Sequence, residues 1–155
     1  MSPTLALLHR ASWQAAKLLK ARGSFRTVLW LTERADGTRA QIETDCDAPP
    51  EASDGEVLDV LANEMGADFA YDGVVRFAVA YAATAHTFVT TLAREPQRRR
   101  LEVIAIEAHD FETHLRAHRE IIRSPGRAPV LGALSPIESA HDSRYAGLLL
   151  ACVTA

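Results

Sequence analysis

Arg98-Arg99-Arg100-Leu101-Glu102-Val103-Ile104-Ala105-Ile106-Glu107-Ala108-His109-Asp110 is the run around which the rest of the chain is organised. As a strand it sends Leu101, Val103, Ala105 and Glu107 to one face, and Glu102, Ile104, Ile106 and Ala108 to the other. Apolar residues fall on both faces, the pattern of a central strand covered on two sides. The β-branched Val103, Ile104 and Ile106 suit a pleated surface better than a helix. The arginines mark where the strand leaves solvent, and His109-Asp110 are expected to mark where it re-emerges.

The segment before this strand reads as more sheet. Val74 to Ala83 alternates Val75, Phe77, Val79 and Tyr81 against Val74, Ala78 and Ala80. Small alanines opposite large residues leave room for a helix on the second face. His86 to Leu92 is β-branched and reads as a further strand or extended edge, broken by Glu95-Pro96. Phe25–Thr32 and Thr38–Thr44 form a hairpin around Asp36-Gly37, residues that tolerate positive φ. Residues 45–55, with Pro49-Pro50, form an acidic loop. Two helices complete the pattern. One spans residues 4–22, with Leu5, Leu8, Ser12, Ala15 and Leu19 on its stripe, Leu18 and Ala16 at the margin, Thr4 as cap and Gly23 as stop. The other spans about 56–69, capped by Ser53 or Asp54, and buries Val57, Leu58, Leu61, Met65 and Phe69.

After Asp110 the pattern divides. As a helix, Phe111, Leu115, His118 and Ile122 share a stripe; as a strand, Leu115, Ala117, Arg119 and Ile121 alternate inward after a turn at 109–112. Local propensity prefers helix, but sheets override propensity. The run Arg100-x-Glu102-Val103-Ile104-x-Ile106-x-Ala108-x-Asp110, then Arg119-Glu120-Ile121-Ile122-Arg123, then Leu131-Gly132-x-Leu134, resembles a pattern in small uncharacterised bacterial α+β proteins. It covers about the last third of the chain. The resemblance implies two antiparallel strands, a loop and a proline-bounded end, with no activity attached; the histidines at 109, 114 and 118 depart from it. The hairpin is therefore the preferred reading. Ser124-Pro125-Gly126 ends it, Val130-Leu131 is a short extended piece, and Tyr145–Val153 closes the core as a strand or short helix.

Composition bounds the function. At 155 residues, 48% hydrophobic and 24% charged, the chain reads as one globular domain, 1–155. A net charge of -3 offers no global attraction for nucleic acid. The charge is uneven: residues 1–32 hold five bases and no acid, and residues 33–72 hold twelve acids against two bases. Such halves attract each other within a fold or across a dimer, although two solvated faces are the plainer explanation. Cys46 and Cys152 read as free thiols in a reducing compartment. With no charged head before the apolar N-terminal residues and no run long enough to span a bilayer, the expectation is a cytoplasmic protein without a transmembrane segment.

Three constellations carry possible chemistry. His109, His114 and His118, with His86 and His141 as further candidates, would bind a divalent transition metal such as zinc if 111–122 were helical, because His114-x-x-x-His118 then shares one face. Leu115 occupies the position where a zinc-protease helix carries its glutamate, so peptidase activity is not supported. On a strand, residues four apart lie about 13 Å apart, too far for one ion, and exposed histidines on an Arg/His-rich element are the plainer reading. Glu107 and Asp110 form a candidate acid–base pair or, more plainly, ordinary turn chemistry. No serine sits in a nucleophile elbow, Cys46 lies between two aspartates, and no glycine-rich phosphate loop is present. Arg98-Arg99-Arg100 reads as a solubilising strand flank.

The sequence thus predicts an α+β domain: a mostly antiparallel sheet of about five to seven strands packed by helices at roughly 4–22 and 56–69. The function expected is that of a small cytosolic bacterial protein that binds a protein partner or a copy of itself, without catalysis or cofactor. The alternative is a metal-binding protein or metal-dependent enzyme using His109, His114 and His118.

Overall fold

The computed structural model describes residues 1–45, 62–69, 72–90 and 96–149. Helix α1 (Pro3–Arg22) is followed by β1 (Thr27–Arg34), β2 (Arg39–Asp45), helix α2 (62–69), β3 (Val74–Thr90), β4 (Pro96–His109), β5 (His114–Ile122), and the two-residue strands β6 (Val130–Leu131) and β7 (Glu138–Ser139). All pairings are antiparallel, in the order β2-β1-β3-β4-β5-β6, with β7 also on β5. The α+β class, the antiparallel sheet of seven strands and the two helices are as the sequence predicts.

The expected stretch runs through the middle of the sheet as β4, between β3 and β5. Its two faces feed two cores. On one, α1 lays Leu7, Leu8, Ala11, Ala15 and Leu19 over Ala78, Ala80, Ile104, Ile106 and Ala117. The alanines of β3 do leave the space the helix occupies. On the other, α2 and the segment around Tyr145–Leu149 cover Val28, Trp30, Phe77 and Val79. Trp30 anchors that side: its ring meets Phe69 and Tyr145 edge-on at 5.7 and 5.6 Å, and its indole N–H donates to Thr44 Oγ1 at 3.0 Å. Three layers result, with the sheet in the middle.

Local signals fix the ends. Ser2, not Thr4, caps α1, accepting from the Leu5 N–H at 3.2 Å with Pro3 in the first helical position. Thr4 is instead turned inward, to Asp110. The buried stripe is rotated accordingly, taking in Leu7 and Ala11 and leaving Leu5 half-buried. Gly23 stops the helix at φ 73°. Gly37, at φ 86°, and the Asp36 side chain, which accepts from the Thr38 N–H at 2.8 Å, close the β1–β2 hairpin. An ion pair joins the basic and acidic segments where α1 ends, at Arg22–Glu43 (2.9 Å).

Two expectations change and one is met. β3 is a single strand of 17 residues, where the sequence suggested a break after Ala83; nothing between Ala83 and His86 has the turn chemistry to interrupt it. Residues 114–122 are a strand, as the hairpin reading prefers, because β4 offers them seven consecutive rungs from Val103↔Glu120 to His109↔His114. His109 does not re-emerge into solvent: it is fully buried. The acidic loop, the cap and first turn of the second helix, both cysteines and the last residues of the apolar tail lie outside the described residues. Among the described residues no helix is long and apolar enough to cross a membrane.

β3 and β4 outrun their neighbours. They pair from Phe77↔His109 to Thr90↔Pro96, but β1 stays with β3 only as far as Ala80, and β5 with β4 only as far as Val103. From Thr84↔Glu102 onward, among the described residues, the two strands form a ribbon with no third strand on either side. At about 3.4 Å per residue it is roughly 20 Å long.

Candidate functional site: a buried histidine–glutamate relay

Antiparallel register builds the site. Phe77, His109 and His114 share one rung across β3, β4 and β5, and Glu107 lies two residues back along β4 on the same face. Asp110 to Thr113 turn the chain between β4 and β5. Asp110 Oδ1 accepts from the N–H of Glu112 at 2.8 Å and of Thr113 at 2.5 Å, and the Thr4 hydroxyl donates to Oδ2 at 2.5 Å. The turn is thereby tied to α1, which holds His109 and His114 opposite each other.

The polar atoms connect in sequence. The Tyr81 hydroxyl donates to Glu107 Oε2 at 2.8 Å, and His109 Nε2 donates to Glu107 Oε1 at 2.9 Å. His109 Nδ1 faces His114 Nδ1 at 2.9 Å. Ser143 adds a hydrogen bond to Glu107 from the C-terminal segment. Glu107 and His109 are 3% and 0% exposed and His114 is 9% exposed, so the relay runs from the interior to the rim. Phe77 stacks on His109 at 5.2 Å and 29°, and the exposed His141 ring meets His114 edge-on at 4.9 Å.

The electrostatics follow from these contacts. Burial alone would raise Glu107, but hydrogen bonds from His109, Ser143 and Tyr81 outweigh it and hold the carboxyl below its ordinary range. Burial, then the Glu107 charge, pushes the Tyr81 phenol well above its usual value, so it stays a donor. His114 is lowered by burial and then by its neighbours His109 and His141. With Nε2–H committed to the carboxylate, a neutral His109 presents a lone pair at Nδ1, and His114 Nδ1 donates to it. A second proton between the two Nδ1 atoms would set two N–H groups head to head at 2.9 Å. The arrangement therefore holds one proton between two rings above a fixed anion.

Of the three histidines the sequence singles out, the structure brings His109 and His114 together. His118 is exposed, four residues along β5 from His114, with its backbone bonded to Ser135. Glu107 and Asp110 do not form a pair: one faces Tyr81 and His109, the other faces α1. Sequence reasoning missed Tyr81, Phe77 and Ser143. The first two were within reach, since Phe77 and Tyr81 share a β3 face and an antiparallel neighbour would set that face beside Glu107 and His109. Ser143 carried no signal. The pocket at the β1–β2 hairpin, between Thr32, Arg34, Ile42 and Phe69, holds ≈ 60 Å³, well below the roughly 300 Å³ at which small-molecule sites begin. Comparison with protein-family models, curated proteins and solved structures finds no match for the chain.

Proposed function

We propose that this chain is a non-catalytic, self-associating domain of the cytosol that docks a second copy of itself along the edge of β3 that no described strand pairs. The observation that carries the reading is the run Tyr81–Thr90, which extends β3 past its last rung with β1 at Ala80. Those ten residues, Tyr-Ala-Ala-Thr-Ala-His-Thr-Phe-Val-Thr, contain no Asp, Glu, Lys, Arg, Pro or Gly. An edge of that length and composition invites pairing, and natural monomers blunt such edges with charge or proline. The facing edge of the ribbon is blunted: β4 begins at Pro96 and carries Arg98, Arg99 and Arg100. Two copies of the β4 edge would oppose their arginines across a two-fold axis, whereas two copies of the β3 edge bring no like charges together. The relay supports the non-catalytic part, because its buried hydrogen-bonding atoms are engaged with one another rather than aimed into a cavity.

Sedimentation equilibrium tests this. Wild type should behave as a dimer in the micromolar range. Ala82→Lys/Thr84→Lys, placed at two exposed ribbon positions, should be a monomer with an unchanged circular dichroism spectrum. A wild type that stays monomeric at high concentration would overturn the reading, as would an undiminished dimer in the variant.

A further inference from the structure

Independently of that reading, we propose that His109, His114 and His141 form a binding site for a divalent transition ion of the zinc, cobalt or nickel class. His109 and His114 present their Nδ1 atoms to each other at 2.9 Å in a buried setting. Two imidazole ligands on a tetrahedral zinc, with bonds of about 2.0–2.1 Å, place their nitrogens about 3.3–3.4 Å apart. The pair needs to open by only a few tenths of an ångström for an ion to replace the shared proton.

The surroundings are those of a metal ligand. His109 gives its other ring N–H to Glu107 at 2.9 Å, and Glu107 is held in turn by Tyr81 at 2.8 Å. A carboxylate behind a histidine fixes the tautomer so that the opposite nitrogen carries the lone pair, and it raises that ligand's basicity. Here the lone pair falls on Nδ1, the atom facing His114. Phe77 packs flat on the same ring and locks its orientation. The third ligand comes from the turn after β7. The Ala140 N–H donates to the His114 carbonyl at 3.0 Å, which seats His141 beside His114 with ring centroids 4.9 Å apart. Among the described residues no three ligating side chains converge on one point as they stand. Rotation of the exposed His141 ring supplies the third nitrogen, and water completes the shell. Imidazoles suit zinc, cobalt and nickel, and three of them with one open position make a recognised zinc set.

This set differs from the one spacing suggested. His118 has no part in it, and His141 takes its place, which makes the test specific. Untagged protein, prepared without chelator, is titrated with cobalt(II) chloride and followed by visible absorption, then with zinc(II) chloride by calorimetry. Wild type should bind about one equivalent of either ion with a visible band of tetrahedral cobalt. His141→Ala, a change at an exposed side chain that leaves the core intact, should lose at least 10-fold in affinity. Glu107→Gln should weaken binding by about 10–100-fold, the usual effect of losing such a partner. His118→Ala should bind as wild type does. No binding by folded wild type at millimolar metal would overturn the proposal. So would full binding by His141→Ala, or loss of binding in His118→Ala.

Discussion

Glu107 is the residue on which the interior polar chemistry depends. It is almost fully buried and accepts from both Tyr81 and His109, so removing it strands two donors at once. Leaving a buried donor unpaired costs about 1–3 kcal/mol. Glu107→Leu should therefore destabilise the domain by about 2–4 kcal/mol in urea unfolding. Tyr81→Phe takes the Tyr81 donor from Oε2 of a carboxylate that keeps His109 and Ser143, and should cost about 1–3 kcal/mol. In the Glu107→Leu background the same change should cost less, since its partner is already gone. Asp110 supplies a pH dependence. The Thr4 hydroxyl and two backbone N–H groups outweigh burial and hold its pKa below the ordinary value, so its contribution is complete above that value and is lost as pH falls through the depressed one. Asp110→Ala should be less stable than wild type at pH 7, with the gap narrowing as pH falls through the depressed Asp110 pKa. At this scale little was legible beforehand. His109-Asp110 reads locally as a polar strand end, and only residues 28 positions back (Tyr81) and five ahead (His114) make it a core.

Among elements, the sheet prevails over the local sequence. Leu115-Arg116-Ala117-His118-Arg119-Glu120 has helical propensity, yet it lies as β5 because β4 presents a matching row of backbone partners and α1 covers Ala117 and Ile121. Arg119 secures this edge, donating to the Gly132 carbonyl at 2.7 Å and reaching Ser12 of α1 at 3.3 Å. Burial periodicity found β1, β2, β4 and α1 because each has one consistent pattern along its length. It divided β3 because the large–small alternation gives way at Ala82-Ala83, just past the last rung with β1 at Ala80. Helix α1 offers a clean test of its terminator. Gly23 sits at φ 73° with nothing within 4 Å of where a Cβ would be, so Gly23→Ala carries a conformational penalty and no steric one. It should cost about 1 kcal/mol by thermal or urea unfolding, whereas a stability equal to wild type would mean the chain ends the helix some other way.

For the molecule as a whole, the two cores and the ribbon divide the labour. Both faces of the β3–β4 centre are covered, one by α1 and the other by α2 with the C-terminal segment, and that part accounts for folding. Past Tyr81 on β3 none of the described side chains of the ribbon joins either core, and the second copy proposed above would pair with it. Composition foretold the class, since a chain of this size with apolar residues on both faces of one strand has few architectures open to it. It did not foretell the ribbon, because an edge is defined by what fails to pair with it. The most direct measurement is amide hydrogen exchange along Tyr81–Thr90 at high protein concentration and after serial dilution. Self-association through the β3 edge predicts slow exchange at alternate amides of that run in the concentrated sample, relaxing as the sample is diluted. Fast exchange of those amides in the concentrated sample would contradict it.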